Sequence, residues 1–548
     1  MGRTDPNYCG FKRLDRSILL ELGSHYSVIV EESYNYGKIS EFSPPGISGI
    51  GIMTAGRPVL LQRALVSYVT QTMASRPGLE YIVFDDSKES SERRASFEVA
   101  RAAQERFSVR IRFAGLEERV GYVRRLQECS SAPQEVLEYA LLGRAGYTLG
   151  QNRNALLLDT AGWLFFAADD DTVCAPALLP EPAESRLAVC GGPDPSEYWC
   201  FPEFAVGRSW ARFVTIDFLA AHEQLLGRSV RELNPTTENR ANDQQPAGLW
   251  RRLASPDSRV KVTLNGLLGD CAWGAPFGVW HQPMGYLAFD DASLERLITT
   301  EKHYRESILS RQLLRITPGP VISDLSFSML PFWAFDNREL LPPNLPNHRG
   351  QDLIFGQTLW ICFENAVAGH IPLALVHDPV PPRRFWPGEM QQSAAGVDVC
   401  RVILEAIKLC NWDDATASPA QRLQTLGEHL KQLAELPTEV LAASLMERLH
   451  ESNRLLENIL HARAKALIDR APYYADDVSR YLAALKVAQS REHYWLPLDL
   501  FLPRGAAEVA KSVRQTFMNF AALLAWWPTM VEAAKLLRQS GVRMSVTV

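Results

Sequence analysis

Along the first third of the chain, short apolar runs alternate with segments of helical spacing, and each apolar run stops at a polar or acidic residue. Gly49-Ile50-Gly51-Ile52-Met53-Thr54 reads as a buried strand closing on the turn Ala55-Gly56-Arg57-Pro58, and Val59 to Tyr68 has the apolar spacing of a helix. Tyr81-Ile82-Val83-Phe84 is a second β-rich run, ending in Asp85-Asp86-Ser87. Gly150-Gln151-Asn152-Arg153-Asn154 opens the apolar stretch Ala155 to Leu158. Trp163-Leu164-Phe165-Phe166-Ala167-Ala168 then forms a further strand, ending in Asp169-Asp170-Asp171. Strand, helix, strand, helix, strand in this order predicts an α/β fold with a parallel sheet, right-handed crossovers and polar residues gathered at one edge.

The pattern resumes after a long, less regular piece. Phe335-Asp336-Asn337-Arg338 precedes a Pro-rich loop, and Gln351-Asp352 opens the helical pattern Leu353, Ile354, Thr358, Leu359. Ile371 to Val376 reads as a strand ending in His377-Asp378-Pro379, with Arg383 and Arg384 on the Pro-rich loop that follows. From about residue 391 the composition turns to Ala, Leu, Glu, Gln and Arg with helical stripes: Leu423, Leu426, Leu430 and Leu433, then Val440 to Leu460, then Val509 to Leu537. Pro437 and Pro528 read as breaks, which predicts several packed helices rather than one coiled coil. The expected organisation is an extension over 1–47, ending in Ser43-Pro44-Pro45-Gly46, a catalytic domain over 48–390 with an insertion at about 195–320, and a C-terminal all-α domain over 391–548.

Composition narrows the class. A chain of 548 residues with 46% hydrophobic content is long enough for two or three domains, and its net charge of −6 lacks the basic stripe of a nucleic-acid binder. Nine cysteines, an odd number without a CxxC pair, read as reduced intracellular thiols rather than a disulfide frame or zinc site. The opening Met1-Gly2-Arg3-Thr4-Asp5-Pro6 has no signal-peptide apolar core, and no apolar run reaches membrane-spanning length. A cytoplasmic location, with peripheral membrane contact, is the expectation.

An acidic triplet is usually a solvated turn or a helix start. At the end of a buried strand it instead places hard oxygen ligands where an open α/β sheet has its ligand crevice, as a metal and diphosphate site requires. The ordered series Thr54/Arg57/Pro58, Val83-Phe84-Asp85-Asp86-Ser87, Gly150/Arg153/Asn154 and Asp169-Asp170-Asp171 resembles the inverting glycosyltransferases of the GT-A fold, family 2 type. The match covers residues 48 to 180 well and continues less specifically to about 388.

That resemblance implies a mixed, mainly parallel nucleotide-binding sheet flanked by helices, a nucleoside-diphosphate sugar donor with UDP favoured, and Mn2+ or Mg2+. It assigns Asp171 to the metal, Asp169 to the ribose or metal, and His377 as a third metal ligand. Thr54, Arg57, Asp85, Asp86, Arg153 and Asp170 would bind the nucleotide sugar, Asp85 or Asp86 by accepting a base N–H. Arg383 and Arg384 would clamp the diphosphate. Asp352 would be the base that deprotonates the acceptor, although Gln351 departs from the usual Glu-Asp pair; Asp270, Asp290 and Asp291 are the reserves. Trp273 and Trp280, in a Gly- and aromatic-rich piece that takes in Asn265-Gly266-Leu267-Leu268-Gly269-Asp270-Cys271-Ala272-Trp273-Gly274 and Trp280-His281 and reads as a loop, would stack an acceptor sugar, with Asp336 beside it. Simpler roles compete at each position: a surface ion pair for Arg153, a first-turn dipole partner for Asp352, core packing for the tryptophans.

The acceptor is an unidentified glycan, peptide or small molecule, and the helical domain offers a surface for a homo-oligomer. Two other readings remain: a nucleotidyltransferase, against which stands the absence of a Gly-rich phosphate loop with a following lysine, and a non-catalytic nucleotide-sugar-binding scaffold.

Overall fold

The computed structural model describes residues 46–143, 148–181, 186–191, 194–235, 247–271, 283–289, 291–324, 331–412, 417–501 and 504–548. Trp273, Trp280 and Asp290 lie outside them, as does the side chain of Asp291.

Among the described residues, 14 strands form one mixed sheet flanked by helices, followed by a C-terminal helical region. The strands are β1 (Gly49–Thr54), β2 (Glu80–Asp85), β3 (Arg110–Ala114), β4 (Leu164–Asp169), β5 (Thr172–Leu178), β6 (Ala188–Cys190) and β7 (Glu197–Phe201), then β8 (Arg212–Phe213), β9 (Arg259–Asp270), β10 (Gln312–Ile316), β11 (Val321–Ser323), β12 (Phe332–Asp336), β13 (Ala366–His377) and β14 (Val546–Thr547). Along the main path the order is β14-β3-β2-β1-β4-β12-β9-β13-β11-β6.

Strand direction decides where polar ends fall. β1 runs parallel to β2 and β4, β12 runs against both β4 and β9, and β13 runs parallel to β9. β1, β2, β4, β9 and β13 therefore all point the same way and end at one edge, in Thr54, Asp85, Asp169, Asp270 and His377. β12 points the other way.

Helices cover both faces, which is why the central strands are apolar throughout rather than alternating. On one face Leu61, Leu65 and Tyr68 of helix Pro58–Thr72 pack over Ile50, Ile52 and Val83. On the other, helix Leu149–Asp159 lies so close to β1 that a Cβ at Gly51 would come within 2.5 Å of Leu156 Cδ1. Being followed by β4, this helix starts at the edge where β4 ends, and it carries Arg153 there.

The segment over 195–320, read as an insertion, supplies β9, which lies between β12 and β13 in the middle of the sheet. Asn265 to Asp270 belong to this strand and not to a loop. The C-terminal helices Val399–Lys408, Pro419–Glu435 and Ala506–Gln539 share one core with Phe165, Trp333 and Phe335. Pro437 does stand between two helices, but Pro528 lies inside Ala506–Gln539 and does not break it. Burial of Phe520, Leu524, Trp527, Met530 and Val531 around it outweighs the lost backbone bond, and Trp527 Nε1 donates to the Leu341 carbonyl at 2.7 Å. By length and composition this is, among the described residues, the one helix apolar enough to cross a membrane, and 56% of its most apolar stretch is buried within the protein. Beyond it the chain returns to the sheet as β14, antiparallel to β3.

Candidate functional site

The edge where the five strands end is built from paired charges. After Asp169 the chain turns through Asp170 and Asp171 into β5, whose Thr172 lies opposite His377. Asp170 is fully buried; it accepts a hydrogen bond from Thr54 Oγ1 at 2.6 Å and pairs with Arg57 Nη2 at 2.5 Å. The same guanidinium reaches Asp171 through Nη1 at 3.2 Å. Arg153 Nη2 pairs with Asp169 at 3.2 Å. His377 stands with Nε2 3.4 Å from Asp171 Oδ1 and Nδ1 2.6 Å from the Asp270 carbonyl. A carbonyl can only accept, so Nδ1 carries the proton and Nε2 is the nitrogen turned to Asp171. Asp270 in turn is held by two forks, Arg311 at 2.9 and 3.1 Å and Arg383 at 3.1 and 2.8 Å.

Burial without enough donors makes part of this cluster costly. Burial pushes the Asp169 carboxyl up to about 6; Arg153 opposes it and the neighbouring Asp171 adds to it. Asp170 is pushed up to about 7 by burial, against the pull of Arg57. Asp171 goes the other way, because His377, then Arg57 and Arg383, outweigh its burial and hold it well below the usual carboxylate range. Burial alone would lower His377, but Asp171 and Asp270 overcome that and hold it above the ordinary imidazole value.

The second strand end is organised from behind. Asp85 is buried and accepts from Ser87 N at 2.7 Å and from the Ser87 hydroxyl. Asp86 pairs with Arg119 Nη1 at 3.0 Å and accepts from the Thr148 hydroxyl; burial nevertheless keeps its carboxyl above the usual value. Asn152 Nδ2 ties the strand ends together by donating to the Phe84 carbonyl at 2.8 Å and the Thr54 carbonyl at 3.4 Å. Sequence reasoning missed Arg119 and Thr148. A signal for Arg119 exists: with Tyr122, Val123 and Leu126 it occupies the buried stripe of helix Leu116–Cys129, a place where a bare guanidinium needs a partner.

The structure thus brings Thr54, Asp170, Arg57, Asp171, His377, Asp270 and Arg383 into one contact chain, with the Arg153–Asp169 pair beside it, at the edge where Asp85 also ends. Other expectations are corrected. Asp336, expected beside the acceptor, ends β12 opposite Leu164, at the far end of β4 from Asp169, where Arg338 grips it at 2.8 and 2.9 Å. The cause is the reversed direction of β12. Arg383 grips Asp270 rather than standing ready for a diphosphate, and Arg384 donates to the Pro202 carbonyl at 3.1 Å. Asp270, once a reserve base, is held by its two arginines below the usual carboxylate range against its burial, which suits a counter-charge better than a base.

Asp352 lies in the first turn of helix Gln351–Cys362, half-buried, after Gly350 in the left-handed region at φ 80°. This helix is followed by β13 and so begins at the charged edge. The loop before it is stitched to the helix bearing Arg153: Gln151 Nε2 donates to Asn347 Oδ1 at 3.2 Å, and a Cβ at Gly150 would fall 1.8 Å from the Leu345 carbonyl.

The donor chemistry here fits a divalent cation: a deprotonated carboxylate, Asp171, faces an imidazole nitrogen whose partner nitrogen is locked by a carbonyl, with Asp169 two residues away. The expected three-ligand set is not assembled, however. Among the described residues no three His, Cys, Asp or Glu side chains converge as metal ligands do. Asp169 is turned to Arg153, and Arg57 covers Asp170 and Asp171.

No protein-family model matches the chain, and no curated protein matches it in sequence. A solved mannosyltransferase from Pyrobaculum calidifontis, in complex with GDP-mannose and Mn2+, matches with a TM-score of 0.33 at 13% identity, covering 86% of this chain and 94% of its own. At that score the likeness carries no weight for function, which rests on the chemistry of the site.

Proposed function

We propose that this protein is a glycosyltransferase that moves a sugar from a nucleoside diphosphate to a hydroxyl or amide acceptor, with inversion. The observation that carries the reading is the convergence of Thr54, Asp85, Asp169, Asp270 and His377 at the ends of five co-directional strands, with Arg57 and Arg153 interleaved among the carboxylates. Such an edge can take a diphosphate at its arginines and a base N–H at Asp85 or Asp86. Mn2+ or Mg2+, held by Asp171 and His377 with Asp169, would neutralise charge on the leaving diphosphate. Asp352 is the proposed base: it takes the acceptor proton as the acceptor attacks the anomeric carbon, and the bond to the diphosphate breaks with its electron pair going to the nucleotide. The shared edge at which its helix begins supports this role.

The test is release of nucleoside diphosphate from a panel of UDP- and GDP-sugars with Mn2+. Turnover of at least one donor above the protein-free rate is expected. Release of pyrophosphate from a nucleoside triphosphate and a sugar phosphate, with no donor turned over, would move the assignment to a nucleotidyltransferase.

A further inference from the structure

Each carboxylate of this cluster has a cationic partner, but Asp170 and Asp171 share one, Arg57. Among the described residues, the carboxylates of Asp169, Asp170, Asp171 and Asp270 contact the guanidinium groups of Arg57, Arg153, Arg311 and Arg383, and His377 lies between Asp171 and Asp270. Arg57 differs from the other three. Arg153 and Arg311 are buried, with side chains 5% and 6% exposed, and Arg383 grips Asp270 alone. Arg57 is 44% exposed while its partners Asp170 and Asp171 are 0% and 11% exposed, so its guanidinium covers both carboxylates from the solvent side. Its backbone is fixed from both directions: Gly56 N donates to Ser87 Oγ at 2.7 Å, and Pro58 starts a helix at the next residue.

We propose that Arg57, anchored on Asp170, is a resident counter-cation that competes with a divalent metal ion for Asp171. Both cations stabilise the same negative charge on Asp171, and a guanidinium 3.2 Å from its Oδ2 lowers what a metal ion gains by binding there. The arginine therefore holds the acidic turn together and weakens metal binding. The inference rests on the cation-binding part of the function proposed above, and extends it by making Arg57 a gate on the cation rather than only a donor contact.

Binding of Mn2+ alone, with no nucleotide present, tests this through the electron paramagnetic resonance signal of the free ion. Arg57→Gln removes the charge from a half-buried side chain, and its fold is checked by circular dichroism. The variant should bind one Mn2+ roughly tenfold or more tighter than the parent, as expected when a charge-assisted pair to a desolvated carboxylate is removed. Arg57→Lys should remain close to the parent, and adding Asp171→Asn to Arg57→Gln should abolish the gain. Millimolar guanidinium, well below denaturing levels, should compete with Mn2+ in Arg57→Gln. Equal affinity in parent and Arg57→Gln, or no Mn2+ binding by either, would overturn the proposal. Because no sugar donor enters the experiment, tighter Mn2+ binding by Arg57→Gln would stand even if no donor were ever turned over.

Discussion

Helix Leu149–Asp159 joins two buried aspartate environments that behave oppositely. At its far end, Asp159 is 2% exposed and fully provided for: Arg543 Nη2 at 2.6 Å, Ser545 N at 3.0 Å and Ser545 Oγ at 2.7 Å. Those donors outweigh burial and hold its carboxyl below the usual range. At the near end, Asp170 is as deeply buried but sits between two other carboxylates with, among the described residues, Thr54 and Arg57 as its side-chain partners, and burial pushes it up to about 7. One site spends its donors on closing the fold, since Arg543 also pairs with Glu80 at the start of β2 and fixes the returning tail. The other concentrates more negative charge than the protein alone stabilises. An incompletely satisfied carboxylate cluster at the ligand edge of a sheet is where a cation and a diphosphate gain most by binding.

The largest effect that would break this contrast is on stability. Asp159→Ala takes from Arg543 one of its two buried carboxylate partners and from the Ser545 N–H and hydroxyl their acceptor, and should cost about 3–5 kcal/mol in denaturant unfolding. Donor turnover per folded molecule should not change. A variant as stable as the parent would place the clasp among dispensable contacts.

Next in size is catalysis at the charged edge. Asp352→Asn preserves shape and removes basicity, so transfer should fall roughly a hundredfold or more while donor affinity, measured by calorimetry, stays near that of the parent. Transfer at the parent rate would return the half-buried carboxylate to a first-turn dipole role and leave the base to be sought elsewhere.

The smallest effect sharpens the comparison through pH. Folded Asp169 and Asp170 keep their protons up to about pH 6 and pH 7, whereas unfolded aspartate loses them near pH 4, so the fold binds more protons between these values. Stability of the metal-free protein therefore falls as pH rises through that window. His377, held above its ordinary value, acts in the same sense: its contribution is complete below the ordinary histidine range and is lost as pH rises beyond it. Asp171, held low, loses its contribution only in acid below pH 4. In chelator, the melting temperature should drop from pH 5 to pH 7.5, and Asp170→Asn should flatten the drop. Equal slopes in both proteins would show that Asp170 is not the strained carboxylate.

Much of the charged edge was legible because its signal is local. β1, β4, Tyr81–Phe84 of β2 and Ile371–Val376 of β13 are apolar runs with a polar stop, and those stops are Thr54, Asp169, Asp85 and His377. β9 was not legible. Its Asn265-Gly266 interrupts the apolar pattern and reads as a loop, yet the glycine is there because a Cβ would lie 2.4 Å from the Arg315 carbonyl of the neighbouring strand. Asp336 misled for a different reason: a strand ending in an acid looks the same whichever way it runs, and only pairing with β4 reveals the reversal. Pro528 obeys its local preference in isolation but is overruled by the core around it. The partners Arg119 and Arg311 come from distant segments, and pairing over such separations leaves no trace in local spacing.

Donor turnover by Asp171→Asn, set beside its melting temperature, tests the central claim most directly. Asp171 faces both His377 and Arg57, and Asn keeps its size while removing the charge that would hold a cation against the leaving diphosphate. The predicted result is turnover lowered roughly a hundredfold or more, with the cooperative unfolding transition retained. Turnover at the parent rate in Asp171→Asn would contradict the assignment of this edge to catalysis.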